Sequence, residues 1–197
     1  WGSSGIEEIT SFLGGASPAV DSGVVIVPYS SGELVALKVE NGQVLWTDTL
    51  AGVRRSRSTT RLSSIRGRPI VDRGIVIAIS NSGPIVAINL RTGKRIWNRS
   101  IGGIESPWIA GNFIFFLTNE SELVAISSRT GRVHWVQPLP HWEDEEDKTG
   151  RIIWTGPVLV SDRLIVAGSS GEALSVSPYT GKVLGKVEMP DGITIGP

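Results

Sequence analysis

The 197-residue chain contains no cysteine. Disulfides and thiol catalysis are therefore excluded, while the redox compartment stays open. Its two histidines, His134 and His141, have no second histidine or cysteine at ligand spacing, so no metal site is expected there. No charge sign dominates: 19 Lys and Arg balance 19 Asp and Glu. Nothing overall favours nucleic acid or an anionic membrane as a partner. No apolar run approaches the roughly 20 residues that cross a bilayer. No signal peptide or lipid-attachment cysteine is present. A Gly-rich phosphate loop, a Gly-x-Ser-x-Gly elbow and a zinc signature are also missing, so catalysis is not expected. The chain opens on Trp1 without an initiator methionine, and is expected to be a fragment or a processed product.

What is abundant is punctuation. Twenty-four glycines and 11 prolines divide short aliphatic runs, a mixture suited to an all-β chain with many tight turns. The punctuation repeats. Pro18, Pro69, Pro107 and Pro157 are each followed 14 residues later by Gly32, Gly83, Ser121 and Gly171. Ten residues further stand Gly42, Gly93, Gly131 and Gly181, and four beyond those Trp46, Trp97 and Trp135, with Gly185 in the fourth copy. No copy needs a gap.

Each copy reads as four short strands, in the first about 18–20, 24–28, 33–38 and 43–49. The second and third strands are apolar on successive residues, which means that both sheet faces are covered. Sheets sandwiched between neighbours and joined by loops of varying length are what radial repetition of blades requires. The proline spacings of 51, 38 and 50 show that variation. The expected organisation is the end of a preceding blade with its loop (1–17), a blade (18–52), an Arg-rich inter-blade loop (53–68), two blades (69–103 and 104–139), an acidic inter-blade loop (140–156), a blade (157–190) and the start of another (191–197). The expected fold is an all-β propeller of four-stranded antiparallel blades, an arc of a ring of about eight.

The strings 34–46 (LVALKVENGQVLW) and 85–97 (IVAINLRTGKRIW) resemble the tryptophan-docking repeat of quinoprotein (PQQ-like) propellers and their cofactor-free relatives. Within that superfamily the chain resembles the BamB family of outer-membrane β-barrel assembly lipoproteins. The resemblance implies a non-catalytic, cofactor-free scaffold at the periplasmic face of the bacterial outer membrane, held there by a lipid anchor outside this chain. It implies contact with the POTRA domains of a BamA-like partner through neighbouring inter-blade loops. The matching positions are Thr10, Phe12 and Leu13, then Ser64 and Arg66, although this sequence departs from relatives with acidic residues near the latter pair. Two other readings remain: a degenerate quinone-dependent dehydrogenase fragment, or another cell-envelope interaction or sensor module.

The loop 53–68 carries Arg54, Arg55, Arg57, Arg61, Arg66 and Arg68 with no acid, which suits steering and rim contacts to an acidic partner. The run 143–147 is all carboxylate but lacks the spacing and glycine of a calcium loop, and is expected to be solvated loop. Trp46, Trp97 and Trp135, at one repeat position, are expected to dock blade on blade. Trp108, Trp142 and Trp154 fall outside it and could cover a loop or meet a partner.

Overall fold

The computed structural model describes residues 16–50, 64–81 and 83–194. Contacts divide the chain into two units, Trp1–Ser106 and Pro107–Pro197. No described residue is helical.

The first unit holds two antiparallel sheets in simple chain order. One comprises β1 (Ala19–Asp21), β2 (Val24–Pro28), β3 (Glu33–Lys38) and β4 (Val44–Thr49). The other comprises β5 (Ile70–Asp72), β6 (Ile75–Ile79), β7 (Ile85–Asn89) and β8 (Arg95–Arg99). Their first hairpins turn on Ser22-Gly23 and Arg73-Gly74, with φ of 47° and 75°, and 47° and 74°. Two successive positive φ values match the right-handed twist of the flanking strands, which is why glycine recurs there. The inner strands are apolar on consecutive residues because both faces are packed: β6 and β7 have eight of their ten residues buried. One continuous core joins Ile26, Leu34, Ala36 and Trp46 of the first sheet to Val76, Ala78, Val86 and Ile88 of the second.

The second unit repeats the plan. Its first sheet is β9 (Trp108–Ala110), β10 (Phe113–Leu117), β11 (Glu122–Ser127) and β12 (Val133–Pro138). After a small hairpin, β13 (Trp142–Asp144) with β14 (Thr149–Arg151), comes a sheet of β15 (Trp154–Val160), β16 (Arg163–Gly168), β17 (Glu172–Val176) and β18 (Val183–Glu188). Phe115, Leu117, Leu123 and Ala125 pack there against Leu164, Val166, Leu174 and Val176.

The segment expected as acidic loop, 140–156, differs. It contains the β13–β14 hairpin, and β15 already begins at Trp154. The carboxylates from Glu143 to Asp147 are solvent-exposed, but they also build the turn: Asp144 Oδ1 accepts the Glu146 and Asp147 amides at 2.9 and 3.0 Å. A carboxylate that caps its own backbone favours a turn over irregular chain. Trp154 is buried, its Nε1 donating to the Pro140 carbonyl at 2.8 Å, so it closes the loop from beneath. Trp108 is 37% exposed.

All four outermost strands carry a bulge that the repeat did not announce. Ala36 faces Trp46 while Leu37 faces Val44, leaving Leu45 as the extra residue. Ile96, His134 and Leu184 occupy the same place in β8, β12 and β18. Bulges raise local twist and re-aim the next side chain. In the first three sheets the next side chain is the repeat tryptophan; in the fourth that place is held by Gly185.

Candidate functional site: blade seams and the loop face

Trp46 and Trp135 sit where one sheet meets the next within each unit. Trp46 Nε1 donates to the Leu90 carbonyl at 2.7 Å, a buried bond across 44 residues. Its indole lies against the turn ending at Gly93, where a Cβ would stand 2.6 Å from Trp46 Cβ and Cγ. Trp135 reproduces this: Nε1 donates to the Pro178 carbonyl at 3.0 Å, and a Cβ on Gly181 would come within 2.7 Å of the ring. Burying an indole while satisfying its N–H is the combination that favours tryptophan over phenylalanine here.

The receiving turn is preformed. Asn89 Oδ1 accepts the Arg91 and Thr92 amides, and Gly93 N donates to Asn89 O at 2.9 Å. Ser177 plays that part before Gly181. Gly42 and Gly131 close equivalent turns on Lys38 and Ser127. The four glycines have φ of 70°, 68°, 63° and 73°. Trp97 is buried opposite Ala87, in the same register as Trp46 opposite Ala36.

An ion pair reinforces the first seam. Arg95 Nε and Nη2 donate to the two Asp48 carboxylate oxygens, each at 2.7 Å, and Nη2 also reaches the Thr49 carbonyl. Hydrogen bonding to Asp48 raises the Arg95 pKa above its ordinary value, opposed by burial and aided by the attraction between the charges. The arginine stays charged wherever the protein is folded. Asp48→Ala is expected to cost about 0.5–1 kcal/mol, less at high salt, because the pair is partly solvated. Denaturant midpoints compared at low and high ionic strength check this.

The loop face is rooted by backbone hydrogen bonds. In the first unit Leu50 N donates to Gly32 O, Ser80 Oγ to Leu50 O, Asn81 N to Ser64 O, and Gly103 N to Ser80 O. Both ends of the linker 50–64 are thus tied to turns between second and third strands. In the second unit Leu139 N donates to Ser121 O, Ser169 N to Ile153 O, and Met189 N to Gly171 O. Inter-blade segments and these turns therefore share one side of each unit, with the Asn-Gly and Thr-Gly turns at the opposite strand ends.

Of the contact positions expected on this face, Thr10, Phe12, Leu13, Arg54 and Arg55 lie outside the described residues. Arg66 is exposed. Ser64 differs from expectation: it is buried, and among the described residues its hydroxyl has no hydrogen-bond partner. Its carbonyl accepts from the Asn81 amide at 2.9 Å. Among the described residues no group of three or more His, Asp or Glu side chains could hold a metal ion.

Comparison with known proteins agrees with this architecture. A family model described as outer membrane protein assembly factor BamB matches residues 1–137. The outer membrane protein assembly factor BamB of Shigella dysenteriae is 29% identical over 161 residues, covering 82% of this chain and 39% of that protein. Its Legionella pneumophila counterpart is 26% identical over 182 residues, covering 92% of this chain and 45% of that protein. Among solved structures, BamB from Moraxella catarrhalis superposes with a TM-score of 0.81 at 20% identity, over 98% of this chain and 56% of that one. A europium-containing methanol dehydrogenase superposes with a TM-score of 0.67 at 15% identity, over 89% of this chain and 42% of that one. The fold class is thus a β-propeller built from four-stranded antiparallel blades. The chain spans less than half the length of these curated relatives.

Proposed function

Starting from a chain that belongs to the outer membrane protein assembly factor BamB family, we propose that it forms part of a non-catalytic scaffold assisting insertion of β-barrel proteins into the bacterial outer membrane. The family match over residues 1–137 carries this reading. The scaffold works at the periplasmic face and holds a BamA-like partner by its POTRA domains.

Physical considerations support a loop-based contact. The inner strands spend their side chains on packing between sheets, so few remain for chemistry. Loops tied at both ends to rigid turns are where recognition resides on such frameworks. Phe12 and Leu13 supply an apolar anchor in this proposal, with Thr10 beside them, while Arg54, Arg55 and Arg66 steer and rim the contact.

Replacing Phe12 and Leu13 together with serine is expected to abolish capture of a POTRA-containing partner while the circular dichroism spectrum stays unchanged. Substituting the three arginines is expected to slow association and flatten its salt dependence, because a screened attraction is lost. Wild-type recovery by the double serine variant in a pull-down would place the contact elsewhere.

A further inference from the structure

In three of the four sheets, the outermost strand carries a repeat tryptophan. Trp46 in β4 and Trp97 in β8 are each 8% exposed, and Trp135 of β12 is half-buried against the Gly181 turn. β18 breaks this pattern. All six of its residues are exposed, and Gly185 stands opposite Ser175 where the indole would be. A Cβ on Gly185 would meet only the Ser175 hydroxyl, at 3.5 Å. β18 is held by its ladder to β17 and by the exposed Lys186–Glu172 ion pair at 3.0 Å.

The face carrying Gly185 is also distinctive. Register aligns Ile165, Ser175 and Gly185 in one row, and Ala167, Ala173 and Val187 in another. The equivalent rows of the first and third sheets, Ile26–Ala36–Trp46 and Phe115–Ala125–Trp135, lie in cores shared with the following sheet. In the fourth sheet none of the six is buried, and Val187 is 67% exposed. Small side chains leave this face shallow, and three adjoining apolar groups, Val160, Val183 and Leu184, are exposed beside it.

Taking as premise the blade-on-blade packing of the propeller fold, in which a following sheet of the same repeat covers this face, we infer that the seam formed there closes without an indole and opens before those on β4 and β12. The occupant follows from continuity: this face of the first and third sheets is covered by the next sheet along the chain. The curated relatives are also long enough to supply one, since the chain spans only 39% and 45% of them. In seams holding an indole the receiving turn has no room for a Cβ, as Gly93 and Gly181 show. Without the indole that restriction falls away.

Hydrogen exchange on the full-length chain, read at the amides of β4, β12 and β18 that pair inward, tests this directly. Local opening should make the β18 amides exchange about tenfold or more faster than those of β4 and β12. Trp46→Gly should bring β4 to the β18 rate, and Gly185→Trp should slow β18. If the tryptophan variant does not fold, Gly185→Leu serves as the smaller plug with the same expected direction. Equal protection of β18, β4 and β12 in the unaltered protein would overturn the inference. So would a folded Gly185 variant with unchanged exchange. Protection of β18 that rises with protein concentration would also overturn it, by showing a second copy on this face.

Discussion

Trp46→Ala is expected to destabilise the protein by about 3–5 kcal/mol, the range for truncating a large buried aromatic. Two losses combine. The indole is 8% exposed and packs in the core shared by the first two sheets, so removal leaves a cavity between layers that move together with difficulty. Its N–H also satisfies the Leu90 carbonyl at a buried bond of 2.7 Å, and that acceptor would lose its partner. Trp46→Phe should fall between, restoring part of the volume without the donor. Equilibrium denaturation in guanidinium, with comparable slopes for the variants, reads the difference. A loss under about 1 kcal/mol would mean that the ring adds little beyond an exposed side chain.

Gly93→Ala is the second large effect, expected at about 2–4 kcal/mol. The backbone contributes first, because a φ of 68° is strained for a residue with a Cβ. The larger part comes from the neighbour: a Cβ here would stand 2.6 Å from two atoms of the Trp46 side chain, one of them its own Cβ, which cannot swing aside. Overpacking of this kind costs about 1–3 kcal/mol. The two substitutions should therefore couple. With Trp46 already replaced by alanine, Gly93→Ala should lose its clash with the ring atoms but keep the one with the Cβ at position 46, and the double-mutant cycle should show that partial relief. Simple additivity would mean that indole and glycine do not restrict one another. Gly111, with a φ of 58° and nothing near its Cβ position, provides the control: alanine there should carry the backbone cost alone.

The sequence made the sheets legible because their interior is periodic. Proline, turn glycine and tryptophan recur in fixed phase, and runs such as 24–28 and 34–37 are apolar on both faces. Features outside that phase were not legible. Trp154 has no counterpart in the other copies, so nothing marked it as core rather than surface. The β13–β14 hairpin carries mostly exposed polar side chains, and without a buried face it has no alternation to read. Ser64 is buried while its carbonyl accepts from Asn81 N, and a serine gives no apolar signal of burial. Asp48 and Arg95 pair across 47 residues, a distance at which one acid and one base among many cannot be matched by eye. The bulges before each tryptophan were invisible for a different reason: an added residue in a strand leaves the turn-to-turn spacing of every copy the same.

The direction of the tryptophan bond has a consequence for synthesis. Each indole reaches forward, from Trp46 to Leu90 and from Trp135 to Pro178, across 44 and 43 residues. A sheet leaving the ribosome therefore completes its own ladder before the carbonyl that will receive its tryptophan has been made. At about 5–20 residues per second, the gap is roughly 2–9 s for every new sheet. During that interval a row such as Ile26–Ala36–Trp46 is a bare apolar surface until the second sheet arrives to cover it. Phe115–Ala125–Trp135 waits in the same way for the fourth sheet. A stall in translation between the two sheets of a unit holds that surface open.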